Sequence, residues 1–316
     1  MEKIVLHAEN LTKQYGSLLA VNHLSLDVRE GEVFGFLGPN GAGKTTSINM
    51  LCGLLKPDSG HVLIEGQPVT NGSRAARARV GVCPQNVVVW ERLTCLEQLI
   101  FIGQMYDVKT SLARQRAEKL LTDLDLNEKR NALAGTLSGG MQRRLNIAMA
   151  LVHDPAVLVL DEPEAGLDPQ SRVLVRDYIH AVARQKTVIL TTHNMDEADR
   201  VADRVAIIDR GELLVLDDPE KLKQRLGDGD TLEIQLGALP GDQALLKQTL
   251  GEWVNDHMLF DAVHHLVRMH ILNAAGKLGA ILTALQAGGW HPGEASIRAN
   301  TLEDVFIQLT GRRLRE

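Results

Sequence analysis

Aromatic side chains are scarce in this chain: Trp, Tyr and Phe together make up 3% of 316 residues, although the hydrophobic share reaches 44%. A core of that composition is filled by aliphatic side chains, which suits layered α/β packing. Cysteine is nearly as rare. Cys52, Cys83 and Cys95 are odd in number and lack Cys-x-x-Cys spacing, which argues against a disulfide framework and for a reducing compartment. No run of roughly 18 or more apolar residues occurs, and Met1-Glu-Lys-Ile4 does not open a signal peptide, so the chain is expected neither to span a membrane nor to be exported. Nor is there a basic excess: 34 Lys and Arg face 40 Asp and Glu, net −6, which leaves no electrostatic footprint for nucleic acid. Internal repeats and low-complexity segments are absent too.

What stands out is the stretch Gly38, Pro39, Asn40, Gly41, Ala42, Gly43, Lys44, Thr45 and Thr46. It follows the apolar run Val33-Phe-Gly-Phe-Leu37, read as a buried strand, and precedes Ser47–Leu55, read as a helix with Ile48, Leu51 and Leu55 on one face. Strand, glycine-rich loop and helix form the context in which G-x-x-x-x-G-K-[ST] binds phosphate. Glycines let successive N–H groups converge on an anion, and the helix N-terminus adds partial positive charge. Lys44 would neutralise the β- and γ-phosphates, and the Thr45 hydroxyl would sit on Mg2+.

The remaining pattern is that of an α/β chain. Two strand patterns, at 4–12 and 21–28, flank a turn at Tyr15-Gly16 and belong to an antiparallel β subdomain; the second alternates imperfectly. A strand at 61–65, an arginine-rich stretch at Arg74–Arg79 read as a solvated helix face, and Val80–Cys83 lead into a helical insertion over about 86–154. Buried strands are expected at 156–160 and 187–192, with a helix at 171–184 between them and another near 195–202, in βαβ order, then a hairpin turning at Arg210-Gly211. A linker at Gly227–Asp230 divides a larger domain that holds the phosphate loop, 1–226, from a small α+β domain, 227–316, of βαββαβ order. The C-terminal histidines, His257, His264, His265 and His270, have no tight ligand spacing, and Arg312, Arg313 and Arg315 read as a solvated tail.

The chemistry gathers at strand ends. Asp161 closes a buried strand, where an open parallel sheet presents groups to ligands, and would hold Mg2+ directly or through water; Glu162 is placed to take a proton from an attacking water. Gln85 could orient that water or reach the metal, or be an ordinary loop residue. His193 ends a strand expected beside that of Asp161, from which it would contact a γ-phosphate. Ser138, Gly139 and Gly140 open a second helix whose N-terminus is ready for an anion, with Ser138 as its cap.

The loop, Gln85, Leu137–Gln142, Leu158–Pro163, Gly166-Leu-Asp168 and His193 stand in the order and spacing of ABC-transporter ATPase subunits, which residues 4–220 resemble. More narrowly, Phe34–Gly38, Thr191–Ala198 and Leu302–Gly311 look like the daunorubicin-type drug-resistance ATPases of ABC-2 exporters. The resemblance implies a P-loop fold that hydrolyses ATP with Mg2+ to drive transport. It implies a head-to-tail dimer in which Ser138 and Gly140 of one copy complete the γ-phosphate site of the other, and Asp168 ties the two sites together. Tyr15 would stack on adenine, and the Gln85–Glu97 region would meet a separate integral-membrane permease, placing the chain on the cytoplasmic face of the inner membrane. Trp90 lies in that region, as an exposed docking aromatic or as a lobe-core residue. A soluble regulatory or mechanical ATPase of the same type is the alternative. One residue departs from the family pattern: Glu164 stands where a small hydroxyl residue is usual. Its charge would weaken nucleotide binding or slow turnover, unless it faces solvent or pairs with an arginine.

Overall fold

A computed structural model describes residues 3–69, 78–225, 229–237, 243–251, 253, 258–261 and 265–310. Arg74 and Arg77, Gly227 and Asp228 of the expected linker, His257, His264, Gly311 and the C-terminal arginines lie outside them, and Asp230, expected as the linker's last residue, opens a strand instead. Contacts divide the chain into two compact units, one ending at Asp218 and the other spanning Pro219–Leu314. That division falls eight residues before the expected 226/227 boundary, because the short helix Pro219–Gln224 packs on the last helix, Leu302–Thr310, of the second unit.

The first unit holds two sheets. Strands β1 (Ile4–Tyr15), β2 (Leu18–Arg29), β4 (Ser59–Ile64) and β5 (Gln67–Pro68) form an antiparallel sheet in the order β2-β1-β4-β5. The imperfect alternation of β2 has a physical cause. Leu11 pairs with Leu24 but Lys13 pairs with Val21, so β2 carries one extra residue there, and His23 has a φ of +48°. That bulge switches the buried set from Val21 to Leu24, Leu26 and Val28.

Strands β3 (Val33–Leu37), β6 (Val80–Cys83), β7 (Val157–Asp161), β8 (Thr187–Thr192), β9 (Arg204–Asp209) and β10 (Glu212–Asp217) form the second sheet, ordered β10-β9-β3-β8-β7-β6. All neighbours are parallel except the β9–β10 hairpin at its edge. All five residues of β3 and all six of β8 are buried, as strands covered on both faces must be. One apolar cluster joins the antiparallel sheet to this sheet through Leu6, Leu24, Phe34, Phe36 and Ile48 of helix α1 (Lys44–Leu51).

The inserted lobe contributes α2 (Cys95–Met105) and α3 (Thr110–Asp123), followed by α4 (Gly139–Leu151). The segment from Gln85 to Thr94 holds no helix, and regular structure starts only where Thr94 and Glu97 form a capping box. Helices α5 (Pro169–Ala183) and α6 (Met195–Val201) complete the unit; α5 begins two residues earlier than expected because Asp168 caps it, with Pro169 at its first position. The cysteines are buried and free, and burial pushes the Cys52 thiol up to about 12.

The second unit, after its short helix α7 (Pro219–Gln224), is a four-stranded antiparallel sheet. Its strands β11 (Asp230–Leu236), β12 (Met258–Asp261), β13 (Leu266–Ile271) and β14 (Pro292–Arg298) run in the order β12-β13-β11-β14, the split-βαβ arrangement. Helices α8 (Gln243–Leu250) and α9 (Ala274–Ala287) bury Leu246, Leu250, Ile281 and Leu285 with Leu232, Ile234, Val267 and Met269. The N-terminus of α10 (Leu302–Thr310) is tied to the sheet by Asp304, 2% exposed, which accepts from Arg298 Nη1 at 2.5 Å and Nη2 at 2.8 Å.

Candidate functional site

The glycine-rich loop sits at the carboxyl edge of β3, between β8 and β9, and α1 starts at Lys44. Gly43 has a φ of +101°, and a Cβ there would stand 2.4 Å from the Ala20 carbonyl, so only glycine lets the loop close against β2. The Lys44 ammonium donates to the Gly38 carbonyl at 2.6 Å and to that of Pro39 at 3.1 Å. Burial lowers its pKa, opposed by the nearby Glu162 and Asp161 carboxylates. A cavity of about 580 Å3 opens over the loop. Asn40, Gly41, Gly43, Lys44, Thr45 and Thr46 line its floor, and Gln85, Asp161 and Glu162 one wall. Tyr15, 49% exposed at the end of β1, lines it with Leu18, Leu19 and Ala20. Gly38, Pro39 and Ala42 belong to the same loop without lining the cavity.

Glu162 is 7% exposed and takes up a φ of +47°, a conformation that costs a non-glycine residue and gathers at functional sites. Its N–H donates to the Thr191 carbonyl at 3.0 Å. Its carboxylate is gripped on both oxygens: Gln85 Nε2 donates to Oε2 at 2.9 Å and His193 Nδ1–H to Oε1 at 2.7 Å. The β7–β8 pairing expected for His193 therefore places it at Glu162. Asp161 accepts from the Thr191 hydroxyl.

Ser138, Gly139, Gly140 and Asp168 lie elsewhere and do not line this cavity. Ser138 caps α4 by accepting from Met141 N at 3.3 Å. Gly140 faces the α5 N-terminus so closely that a Cβ would stand 2.5 Å from Ser171 Oγ. Asp168 accepts from Ser171 Oγ at 2.7 Å and Ser171 N at 3.0 Å, bonds that hold its carboxyl below the usual range. Trp90 is 40% exposed and meets the half-exposed Phe101 edge to face at 5.4 Å, so it is not a lobe-core residue.

Glu164 does not face solvent. It is 6% exposed and pairs with Arg176 on α5, accepting from Nε at 3.2 Å and Nη2 at 3.0 Å. The pairing raises the Arg176 pKa.

Arg143, Arg210, which lines the cavity, and Thr191, which donates to Asp161, escaped sequence reasoning. The Arg143 side chain, 2% exposed on α4, donates to five carbonyls: Pro84 at 2.5 Å, Gln85 at 3.0 Å, Asp161 at 2.6 Å, Glu162 at 2.8 Å and Pro163 at 3.2 Å. One buried cation thus holds the Gln85 segment and the Asp161–Pro163 segment together. Its only signal in the sequence was its place one helical turn after the Ser138 cap, where a surface arginine was equally expected.

A phosphate loop with a strand-end carboxylate pair and a helical lobe inserted into the parallel sheet defines a P-loop nucleoside triphosphatase. Residues 21–165 match the family model described as ABC transporter. The chain is 37% identical to the linearmycin resistance ATP-binding protein LnrL of Bacillus subtilis (strain 168), covering 99% of this chain and 100% of the relative. It is 40% identical to the Nod factor export ATP-binding protein I of Burkholderia orbicola (strain AU 1054), covering 97% of each. It is 35% identical to the daunorubicin resistance ATP-binding protein DrrA3 of Streptomyces coeruleorubidus, covering 100% of this chain and 99% of the relative. Among solved structures, an ATP-binding subunit of an ABC transporter superposes with a TM-score of 0.65 at 25% identity, covering 71% of this chain and 93% of that one. A dimeric ATP-binding cassette in a post-hydrolysis state, bound to ADP and Pi, superposes with a TM-score of 0.61 at 26% identity, covering 67% and 98%. The chain belongs to the ATP-binding proteins of the ABC transporter family, and its chemistry is the hydrolysis of ATP.

Proposed function

We propose that this chain is the energy-coupling subunit of an ABC exporter of the ABC-2 type, hydrolysing Mg-ATP between two copies arranged head to tail. The observation that carries the catalytic part is Glu162, held on both carboxylate oxygens by Gln85 and His193 at the wall of the cavity that Lys44 floors. An ionised carboxylate keeps lone pairs beyond those two bonds, so Glu162 can still accept a proton from an attacking water. Lys44 offsets phosphate charge, and Tyr15 offers a half-exposed ring for adenine to stack on. The Thr45 hydroxyl, Asp161 and Gln85 supply the hard oxygen donors that Mg2+ takes, and their common place at the cavity fits that ion. An Mg2+ held by these residues would supply positive charge against the charge that develops on the phosphates. His193 does not itself line the cavity, and its part in this reading is to hold Glu162 through Nδ1–H.

Ser138, Gly139, Gly140 and Asp168 lie outside their own chain's cavity, which supports a role for them in completing the site of a second copy. In this reading the chain drives a separate integral-membrane permease, met through the Gln85–Glu97 segment; no helix among its described residues is long and apolar enough to cross a membrane. The same reading puts the chain on the cytoplasmic face of the inner membrane. A soluble mechanical ATPase is not favoured, because relatives matching along the full length carry export and drug-resistance names.

The test is Glu162→Gln beside Lys44→Ala. Glu162→Gln keeps ATP binding, loses roughly a hundredfold or more in turnover and accumulates an ATP-bound dimer on size exclusion. Lys44→Ala loses nucleotide affinity. Normal turnover by the first variant, or unchanged ATP binding by the second, would overturn these roles.

A further inference from the structure

The antiparallel sheet of the first unit carries a second constellation, on the face turned away from its core. Leu6, Ala8, Val62 and Ile64 point inward with exposures of 1%, 0%, 2% and 1%. The intervening residues His7, Glu9 and His61 therefore share the outer face, since successive side chains of a strand alternate. Glu9 pairs directly across the ladder with His61, and on the other side of β1 His7 pairs with Asp27. Sheet pairing thus brings together two imidazoles and a carboxylate separated by more than fifty residues of chain. One donor atom from each of His7, Glu9 and His61 lies within 4.8 Å of the others, and His61 Nε2 is already 3.6 Å from Glu9 Oε2.

We propose that His7, Glu9 and His61 form a Zn2+ site that clips β1 to β4. Tetrahedral zinc, with bonds of about 2.1 Å, spaces its ligand atoms about 3.4 Å apart, so these side chains need to close by about 1.4 Å at most. Two nitrogens and one carboxylate oxygen suit zinc, whereas Mg2+ and Ca2+ take sets made of oxygen alone. The decisive detail is Asp27. Its Oδ1 accepts from His7 Nδ1–H at 2.5 Å, which fixes the tautomer and leaves the lone pair on Nε2. A carboxylate behind a histidine is the outer-shell device that orients metal-binding imidazoles and raises their basicity. The two carboxylates, Glu9 and Asp27, also balance the two charges of the ion. The fourth tetrahedral position is left to water on this open face. Among the described residues no other group of three such side chains converges in this way.

The cross-strand arrangement has an ordinary alternative, a Glu9–His61 ion pair with a separate His7–Asp27 pair, and metal titration separates the two. Full-length protein, freed of its purification tag and stripped with chelator, is titrated with Zn2+ against a chromophoric competitor and with Co2+ followed by visible absorption. Expected are one Zn2+ per chain, a tetrahedral Co2+ spectrum, and a higher melting temperature with Zn2+. His7→Gln and His61→Gln each lose the site and the thermal shift while still hydrolysing ATP, and Asp27→Asn weakens it by roughly 10–100-fold. Zn2+ binding with the same stoichiometry and affinity by wild type and the His7→Gln/His61→Gln double variant overturns the proposal, as does a wild type that binds none.

Discussion

Replacing Arg176 by Met tests whether the unusual glutamate beside the catalytic pair is held as an ion pair. The Glu164 side chain is 7% exposed and that of Arg176 21%, with two hydrogen bonds between them. The Glu197 carboxyl feels Glu164, and Arg176 acts on both, so removing the guanidinium leaves two acidic groups without it. Stranding one member of a buried pair costs about 3–5 kcal/mol. For a unit of this size, about 2–4 °C of melting temperature per kcal/mol predicts a fall of roughly 6–20 °C. Glu164→Thr is gentler, because Arg176 can turn to water; losing charged hydrogen bonds there costs about 1.5–3 kcal/mol. The double variant Glu164→Thr/Arg176→Met removes both charges and should recover about 2 kcal/mol or more relative to Arg176→Met alone. Urea unfolding of all four proteins measures the cycle, and steady-state ATPase kinetics run beside it. Because Glu164 does not line the nucleotide cavity, KM for ATP should be unchanged in Glu164→Thr. Stability of Arg176→Met within about 0.5 kcal/mol of wild type, or a strictly additive double variant, refutes the reasoning.

Arg143→Met should lower both stability and turnover, since five carbonyls, those of Glu162 and Pro163 in buried bonds, lose the guanidinium; an unfolding loss of about 3–5 kcal/mol with reduced kcat is expected, and unchanged kcat would count against the linkage. Burial raises Glu197 above its usual 4.5, a shift only partly opposed by the Thr192 hydroxyl bonded to it. With the folded-state pKa raised, its contribution is complete below pH 4.5 and lost as pH climbs through the raised value. Glu197→Gln should therefore gain on wild type as pH rises from about 4.5 to 7, measured by urea midpoints. Asp304 is pushed up by burial, but Arg298 and the Thr301 N–H and hydroxyl overcome that and leave it low. Its support is present above the ordinary carboxylate range and lost as pH falls through the depressed value. Asp304→Asn should cost the second unit about 3–5 kcal/mol at neutral pH and little in strong acid, read as an acid-insensitive unfolding transition.

Local order made much of this legible in the sequence. Val33–Leu37, the glycine loop and the α1 helix announced themselves by composition and period, and βαβ order alone placed β8 beside β7. Tyr15, Gln85, Asp161 and Glu162 fell at strand ends or turns, where loops reach a common edge, and they line one cavity. What stayed hidden depends on partners distant in sequence. Nothing near Glu164 named Arg176 twelve residues on, since a solvated acid has the same local surroundings. Arg143 read as one of two adjacent arginines, and its five acceptors are backbone atoms that leave no mark on residue identity. His7 and His61 lay on separate strands with no shared motif. The His23 bulge appeared only as faulty alternation, because an inserted residue shifts phase without changing composition.

The Arg143 guanidinium sets one more condition on how the molecule works. Ser138 and Arg143 are five residues apart on one helix, about 7.5 Å along its axis. In the proposed dimer the tip of that helix meets the neighbour, while Arg143 grips the carbonyls of Asp161 and Glu162. A rigid rod joins docking and hydrolysis like a latch bolt to its handle. In the proposed dimer, a shift of this tip by a second copy would be carried through Arg143 to the backbone of Asp161 and Glu162.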